Sequence, residues 1–92
     1  TKTGAYTAFA GDKIFVNTSS SAFTITLPAS PSVGDEVRFL DLANTFDTNN
    51  LTVGRNSEKI DGATSDLTVA TEGAAFALVY SGSTYGWKLL EK

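Results

Sequence analysis

The chain has 92 residues, a net charge of −3, and neither cysteine nor histidine. This length limits it to one small domain over residues 1–92, and the two missing residue types exclude disulfides, thiolate metal sites and histidine-dependent catalysis. The acidic balance argues against a nucleic-acid partner, and no apolar run is long enough for membrane insertion as a helix.

Alternation of apolar and polar residues with a period of two runs along most of the chain and predicts β-strands. The candidate strands, in chain order, are 13–17, 23–27, 36–42, 51–53, 59–60, 67–70, 74–80 and 85–90. Clusters of Gly, Asn, Asp and Ser separate them at short intervals, which is typical of a sandwich or a barrel. We predict an all-β domain of about eight short strands, arranged as a small antiparallel β-sandwich or barrel.

Two prolines interrupt the alternation after the second candidate strand. Pro28 and Pro31 fix φ and lack the N–H donor, so neither fits inside a hydrogen-bonded ladder. We therefore expect residues 28–35 to form a surface crossover. Within it, Gly34 is expected to adopt a positive φ, and Asp35 is expected to bond its local backbone.

Two short stretches occur twice. "AGDKIFVN" (10–17) resembles "VGDEVRFLD" (33–41) at an offset of 23, and "NLTVGRN" (50–56) resembles "DLTVATE" (66–72) at an offset of 16. These echoes are too short to indicate a solenoid. We interpret them as reuse of the same hairpin-entry chemistry, with a true duplication as the alternative.

No catalytic constellation emerges from the residue types. Nearly all the carboxylates sit beside Gly, Asn or Ser, where Asp is favoured for its backbone bonding, so a catalytic pair is not favoured. Serine has no histidine to activate it, and Lys13, Lys59 and Lys88 lie in alternating stretches that face solvent. We predict that the protein is not an enzyme, and we assign no catalytic residue and no cofactor.

The segment 41–50 is rich in oxygen ligands, and calcium needs six to eight such oxygens. The residues concerned are Asp41, Asn44, Asp47, Asn49 and Asn50. Their spacing matches no EF-hand, and the segment lacks a bidentate Glu. We prefer a polar connection with Phe46 tucked beneath it, and we predict no metal site.

Three aromatic residues, Tyr80, Tyr85 and Trp87, flank the short loop 81–84. Amphipathic rings around a polar loop could contact a glycan or another partner. However, alternation places Tyr85 and Trp87 on one face of a strand, which is also the pattern of a core strand. We favour a core or subunit contact.

The stretch "AAFALVY" (74–80) is apolar on both faces. A strand of this kind is covered on both sides, and a second subunit is the simplest cover for its outer face. The residues predicted to form this interface are Ala75, Ala77, Val79 and Leu90. The pattern favours a homo-oligomer.

Taken together, "YTAFAGDKIFVN", "ITLPASPSVGDEV" and "LVYSGSTYGW" resemble a module that recurs in virion proteins of tailed bacteriophages, particularly tail-fibre and related surface proteins. The resemblance runs from Tyr6 to Trp87, and the last two stretches are its most characteristic parts. In such modules we expect Asn-Gly at the hairpin tip, where this chain has Asn56-Ser57, so the turn type stays open.

The resemblance implies a non-enzymatic structural module of a longer virion protein, located on the virion exterior as a homotrimer in contact with other virion proteins. One alternative is a receptor-binding tip that recognises a host cell-surface glycan through the three aromatic residues and the loops 41–50 and 81–84. A second alternative is a capsid decoration protein.

Overall fold

The structure, a computed structural model, describes residues 1–91, and of Leu90 and Glu91 it describes only the backbone. The strands are β1 Tyr6–Thr7, β2 Lys13–Val16, β3 Phe23–Thr26, β4 Glu36–Asp41, β5 Leu51–Gly54, β6 Leu67–Val69, β7 Ala75–Tyr80 and β8 Trp87–Glu91. Across these 91 residues no helix is long and apolar enough to cross a membrane. The prediction of an all-β domain of about eight short strands is confirmed.

The strands form two four-stranded sheets. The first sheet has the order β1-β3-β5-β6, and the second sheet has the order β2-β4-β7-β8. The pairs β1/β3, β3/β5 and β2/β4 are parallel, whereas β5/β6, β4/β7 and β7/β8 are antiparallel. The predicted antiparallel arrangement is therefore wrong, because both sheets are mixed, and the sheets do not close into a barrel.

The parallel pairs arise because the chain crosses between the sheets after each of its first four strands. From β1 to β5 the strands alternate between the first and the second sheet, so the chain returns to a given sheet in its original direction. Consecutive strands pair for the first time at β5 and β6. The first four connections are therefore crossovers from one sheet to the other, whereas β5–β6 and β7–β8 connect antiparallel neighbours within a sheet.

One hydrophobic core lies between the sheets and takes its side chains from alternate positions of both. Val53 and Ile25 enter it from the first sheet, and Val37 and Leu78 enter it from the second. These four side chains are fully buried, and each contributes about 1.5–3 kcal/mol relative to exposure. Along β4, buried and half-buried residues alternate strictly.

The first echo in the sequence is a pair of equivalent turns. Gly11 (φ 88°) and Gly34 (φ 96°) both occupy the left-handed region. The next residue of each turn accepts a backbone N–H three positions back: Asp12 from Phe9 at 2.9 Å, and Asp35 from Ser32 at 2.8 Å. The roles predicted for Gly34 and Asp35 are confirmed. The turns lead into the parallel neighbours β2 and β4, so they are not hairpin entries.

The second echo consists of the two strands of the β5–β6 pair, in which Thr52 lies opposite Thr68. Their connection, 55–66, contains a turn at Asn56-Ser57 in which both residues have positive φ (49° and 71°). Positive φ at both central positions is the pattern of a type I′ turn. Asn56-Ser57 therefore adopts the conformation expected of Asn-Gly, but within a longer connection rather than at a hairpin tip.

Two element predictions need correction. The candidate strand 59–60 is reduced to bridges that Ile60 makes with Ala63 and Trp87. Conversely, the two-residue strand β1 was not predicted, because a single alternation carries no periodic signal.

Candidate functional site

The three aromatic residues singled out in the sequence do not share one surface. Trp87 is fully buried and Tyr80 nearly so, and their rings pack with centroids 5.4 Å apart. Tyr85 lies before β8 and is 62% exposed. Two of the three rings are therefore core residues, as favoured for Trp87, while Tyr85 does not share their strand face.

The buried pair is tied to the β5–β6 connection. The Tyr80 hydroxyl donates to Glu58 Oε1 at 2.7 Å, and the Trp87 backbone N–H donates to the Lys59 carbonyl at 2.7 Å. The hydrogen bond to the Glu58 carboxylate, followed by burial and by the charge of Glu58, raises the pKa of Tyr80 above 10.0. Trp87 Nε1 has no hydrogen-bond partner among the described residues.

Loop 81–86 is held by hydrogen bonds at both ends and at its tip. The Gly86 N–H donates to the Gly82 carbonyl at 2.8 Å, and the Ser81 N–H donates to the Gly86 carbonyl at 2.9 Å. Lys59 Nζ donates to the Thr84 carbonyl at 3.3 Å. The backbone that carries Tyr85 is therefore fixed on several sides.

Gly86 is the residue on which this loop depends. Its φ is 73°, and a Cβ at this position would lie 2.0 Å from the Lys59 carbonyl oxygen. No larger residue fits without displacing the backbone of the β5–β6 connection. The positive φ also breaks the alternation between Tyr85 and Trp87, which is why Tyr85 turns outward.

One end of the molecule gathers the Gly-Asp turns and this loop; we call it the turn end. The Gly34 N–H donates to the Tyr80 carbonyl at 2.8 Å, so the turn before β4 adjoins the end of β7. Val33 Cγ2 lies 3.9 Å from where a Cβ on Gly82 would stand. Phe9, in the turn before β2, lies alongside because β2 and β4 are neighbours.

Segment 41–50 lies at the opposite end of the molecule, because β4 runs away from the turn end. The buried carboxylate of Asp41 accepts backbone N–H groups from Thr45 at 3.1 Å, Phe46 at 3.0 Å and Gly73 at 3.0 Å. Phe46 is fully buried beneath the segment, as predicted. Loops 41–50 and 81–84 therefore cannot form one recognition tip in a single chain.

No metal centre is assembled in the part of the chain that the structure describes. Among the described side chains, no group of three or more metal-ligating residues lies together. Asp41 uses its oxygens to organise the backbone of segments 41–50 and 70–74, which is a structural role.

The outer face of the second sheet is divided into an apolar and a charged part. Phe15 lies opposite Leu40, which lies opposite Ala75, and Phe15 is 50% exposed. We call this row of three residues the outer patch. Phe15 and Leu40 were not among the predicted interface residues.

The residues predicted to form the subunit interface do not lie together on one exposed surface. Ala75 is exposed, but Ala77 is fully buried within the single chain, and it lies opposite Arg38. Val79 is half-buried between Glu36 and Lys88 of the neighbouring strands. The side chain of Leu90 lies outside the described residues.

Salt bridges occupy the charged part of this face. Arg38 Nε pairs with Glu36, and Lys88 Nζ lies 2.7 Å from Asp61 Oδ1. Lys13 and Lys88 are exposed, as predicted, whereas Lys59 is half-buried beside loop 81–86. This part of the face resembles an ordinary solvated surface.

Beside the outer patch, an open groove of about 520 Å³ runs between edge strand β6 and β7–β8. Leu67, Val69, Phe76 and Leu89 line it with apolar side chains. Ala75 and Phe76 border both the groove and the depression over the outer patch. The groove and the outer patch therefore form one continuous surface.

Comparison with known proteins adds no family to this description. No protein-family model matches the chain, and a search of curated proteins finds no significant relative.

Proposed function

We propose that this chain is a non-enzymatic structural module of a bacteriophage virion surface protein, most simply a tail fibre, and that it assembles as a homotrimer. The virion setting rests on the sequence resemblance described above, and the outer patch supports the assembly. Half-exposed Phe15 continues through Leu40 to Ala75 on a face whose other half is charged. Contiguous apolar surface of this kind marks protein–protein contacts.

A stable subunit interface needs a larger area than the three side chains of the outer patch provide. A stable interface buries about 800 Å² on each partner. The groove between β6 and β8 extends the apolar surface past Ala75 to Leu67 and Val69. A neighbouring subunit that covers both the groove and the outer patch also shields the free edge of β6, which otherwise invites uncontrolled strand pairing.

Light scattering tests the assembly. The unsubstituted chain, called the parent chain below, is expected to have a molar mass near three times its monomer mass of 9.7 kDa. The double variant Phe15→Glu, Leu40→Glu is expected to run as a monomer with an unchanged circular dichroism spectrum, because burying unpaired carboxylates opposes association.

Ser83→Glu is the control, since it adds a carboxylate on an exposed loop away from the groove. It should leave the trimer intact. A parent chain that stays monomeric at high micromolar concentration would contradict the assembly. Dissociation by Ser83→Glu to the same extent would contradict the assigned surface. Immunogold labelling of virions with an antibody against this chain tests the virion setting separately.

A further inference from the structure

Phe15 and the groove lie at opposite edges of the second sheet. Phe15 belongs to β2, the edge strand at one side, and the groove opens beside β8, the edge strand at the other side. From β2 to β8 the sheet spans three strand spacings of about 4.8 Å, which is roughly 14 Å in all. The Phe15 ring therefore cannot reach the groove of its own chain.

The groove has a size and a lining that suit an aromatic ring. Its volume is about 520 Å³, and its apolar lining includes the half-buried side chains of Leu67, Val69 and Leu89. An apolar cavity of about 150 Å³ in another protein already binds benzene. Half-exposed Phe15 would lose apolar area to such a groove, and so would the groove itself. Aromatic side chains that fill a pocket of the partner dominate the binding free energy of many interfaces.

A charge lies beside each of these two features. Lys13 is exposed two residues before Phe15, so both side chains project from the same face of β2, about 7 Å apart. Glu72 is exposed in the lining of the groove. Neither Lys13 nor Glu72 has an ion-pair partner among the described residues. The ring and the groove are therefore bordered by charges of opposite sign.

The positions of the two features determine the kind of contact that they can make. A contact between one surface and a different surface of the next copy is heterologous, and its repetition produces a closed ring or an open filament. A two-fold dimer places the same surface of both chains in contact instead. Three subunits form the smallest closed ring of heterologous contacts, in which each subunit donates a Phe15 ring to one neighbour and receives one from the other.

We propose that Phe15 of each subunit inserts into the groove of the next subunit, between β6 and β8. Lys13 pairs in this contact with Glu72 of the partner subunit. The proposal rests on the assembly proposed above and specifies which surfaces of that assembly meet. The occupant of the groove is thus a second copy of this chain, bound through an aromatic anchor and a neighbouring cation.

Cross-linking with a carbodiimide tests this contact, because the reagent condenses a lysine amine with a carboxylate only where the two groups touch. Covalent trimers are expected on denaturing gels, and mass spectrometry should identify an amide between Lys13 and Glu72. Glu72→Gln should lose this link. Asp66→Asn is the matched control, because it removes another exposed carboxylate beside β6, and it should keep the link.

Charge exchange tests the same pair in solution. Lys13→Glu and Glu72→Lys should each raise the concentration at which half of the assembly dissociates by about tenfold, because each variant brings like charges together. The double variant Lys13→Glu, Glu72→Lys should return to within about threefold of the parent chain. All three variants should keep the parent circular dichroism spectrum, since both side chains are exposed.

The outcomes distinguish this contact from the proposed trimer. A trimer without the link between Lys13 and Glu72, or without recovery in the double variant, would overturn the contact and leave the trimer standing. A cross-linked ladder that extends beyond three subunits and contains the link would support the contact and contradict the trimer. A parent chain that stays monomeric at high micromolar concentration would contradict both.

Discussion

At the scale of single residues, Gly86 makes the strictest demand on the sequence. It combines a φ of 73° with a Cβ position 2.0 Å from the Lys59 carbonyl oxygen, which also accepts the Trp87 N–H. Gly86→Ala is therefore expected to destabilise the domain by more than about 3 kcal/mol, the range reserved for specific structural conflicts. Urea denaturation followed by circular dichroism measures this loss.

Gly34 provides the matched comparison. Its φ is 96°, but no atom lies within 4 Å of its Cβ position. Gly34→Ala should therefore lower the free energy of unfolding by only about 1–2 kcal/mol, the cost of a left-handed conformation for a residue with a Cβ. If the two variants lost equal free energies of unfolding, the contact with Lys59 would contribute nothing to the cost of Gly86→Ala.

Two tyrosine hydroxyls link stability to alkaline pH. Tyr6 donates to Asp12 and Tyr80 donates to Glu58, and these bonds, more than burial or charge repulsion, raise the pKa of each phenol above 10.0. A folded-state pKa that exceeds the unfolded value contributes stability that is complete below pH 10 and is lost as pH rises through the raised pKa.

The expected result is a fall in unfolding midpoint above pH 10 that is smaller in the double variant Tyr6→Phe, Tyr80→Phe. Ultraviolet titration should show that phenolate forms in the parent at higher pH when it is folded than when it is denatured. Coincident folded and denatured titrations would contradict the assignment.

At the scale of elements, alternation correctly separated the two faces of a strand, but it did not predict which strands pair with one another. Alternation within 13–17 separates Ile14 and Val16, which are buried, from Phe15, which is exposed, because a strand's period of two fixes its faces locally. Pairing depends instead on where a connection leads, and connections such as 8–12 and 17–22 cross between sheets. Tyr85 was misplaced for a related reason, since the positive φ of Gly86 ends the alternation.

The Gly-Asp turns give an element-scale prediction. Asp35→Ala removes an acceptor for the Ser32 N–H and should cost about 1 kcal/mol. Asp12→Ala removes the equivalent bond and also the acceptor for the Tyr6 hydroxyl at 2.9 Å, so its loss should be larger. Thermal unfolding of both variants measures the difference. A smaller loss at Asp12 would contradict the equivalence of the two turns.

At the scale of the whole molecule, the two sheets are joined through one core. Val53 from the first sheet and Trp87 from the second belong to the same buried cluster, so neither sheet can keep its inner face dry alone. The strand pairs also join distant parts of the chain, for example Leu40 with Ala75. Non-local pairing of this kind favours folding in milliseconds to seconds and a cooperative transition.

A destabilising substitution in the first sheet should therefore lower the unfolding midpoint that a spectroscopic probe in the second sheet reports. Val53→Ala removes two buried methyl groups and should cost about 2 kcal/mol. The fluorescence of Trp87, the single tryptophan, and far-ultraviolet circular dichroism should report the same lowered midpoint. Thr52→Ala, at the adjacent outward position, should change stability by less than about 0.5 kcal/mol. If Val53→Ala shifted the dichroism midpoint while leaving the Trp87 fluorescence transition in place, the sheets would be unfolding separately, and the single shared core would not govern stability.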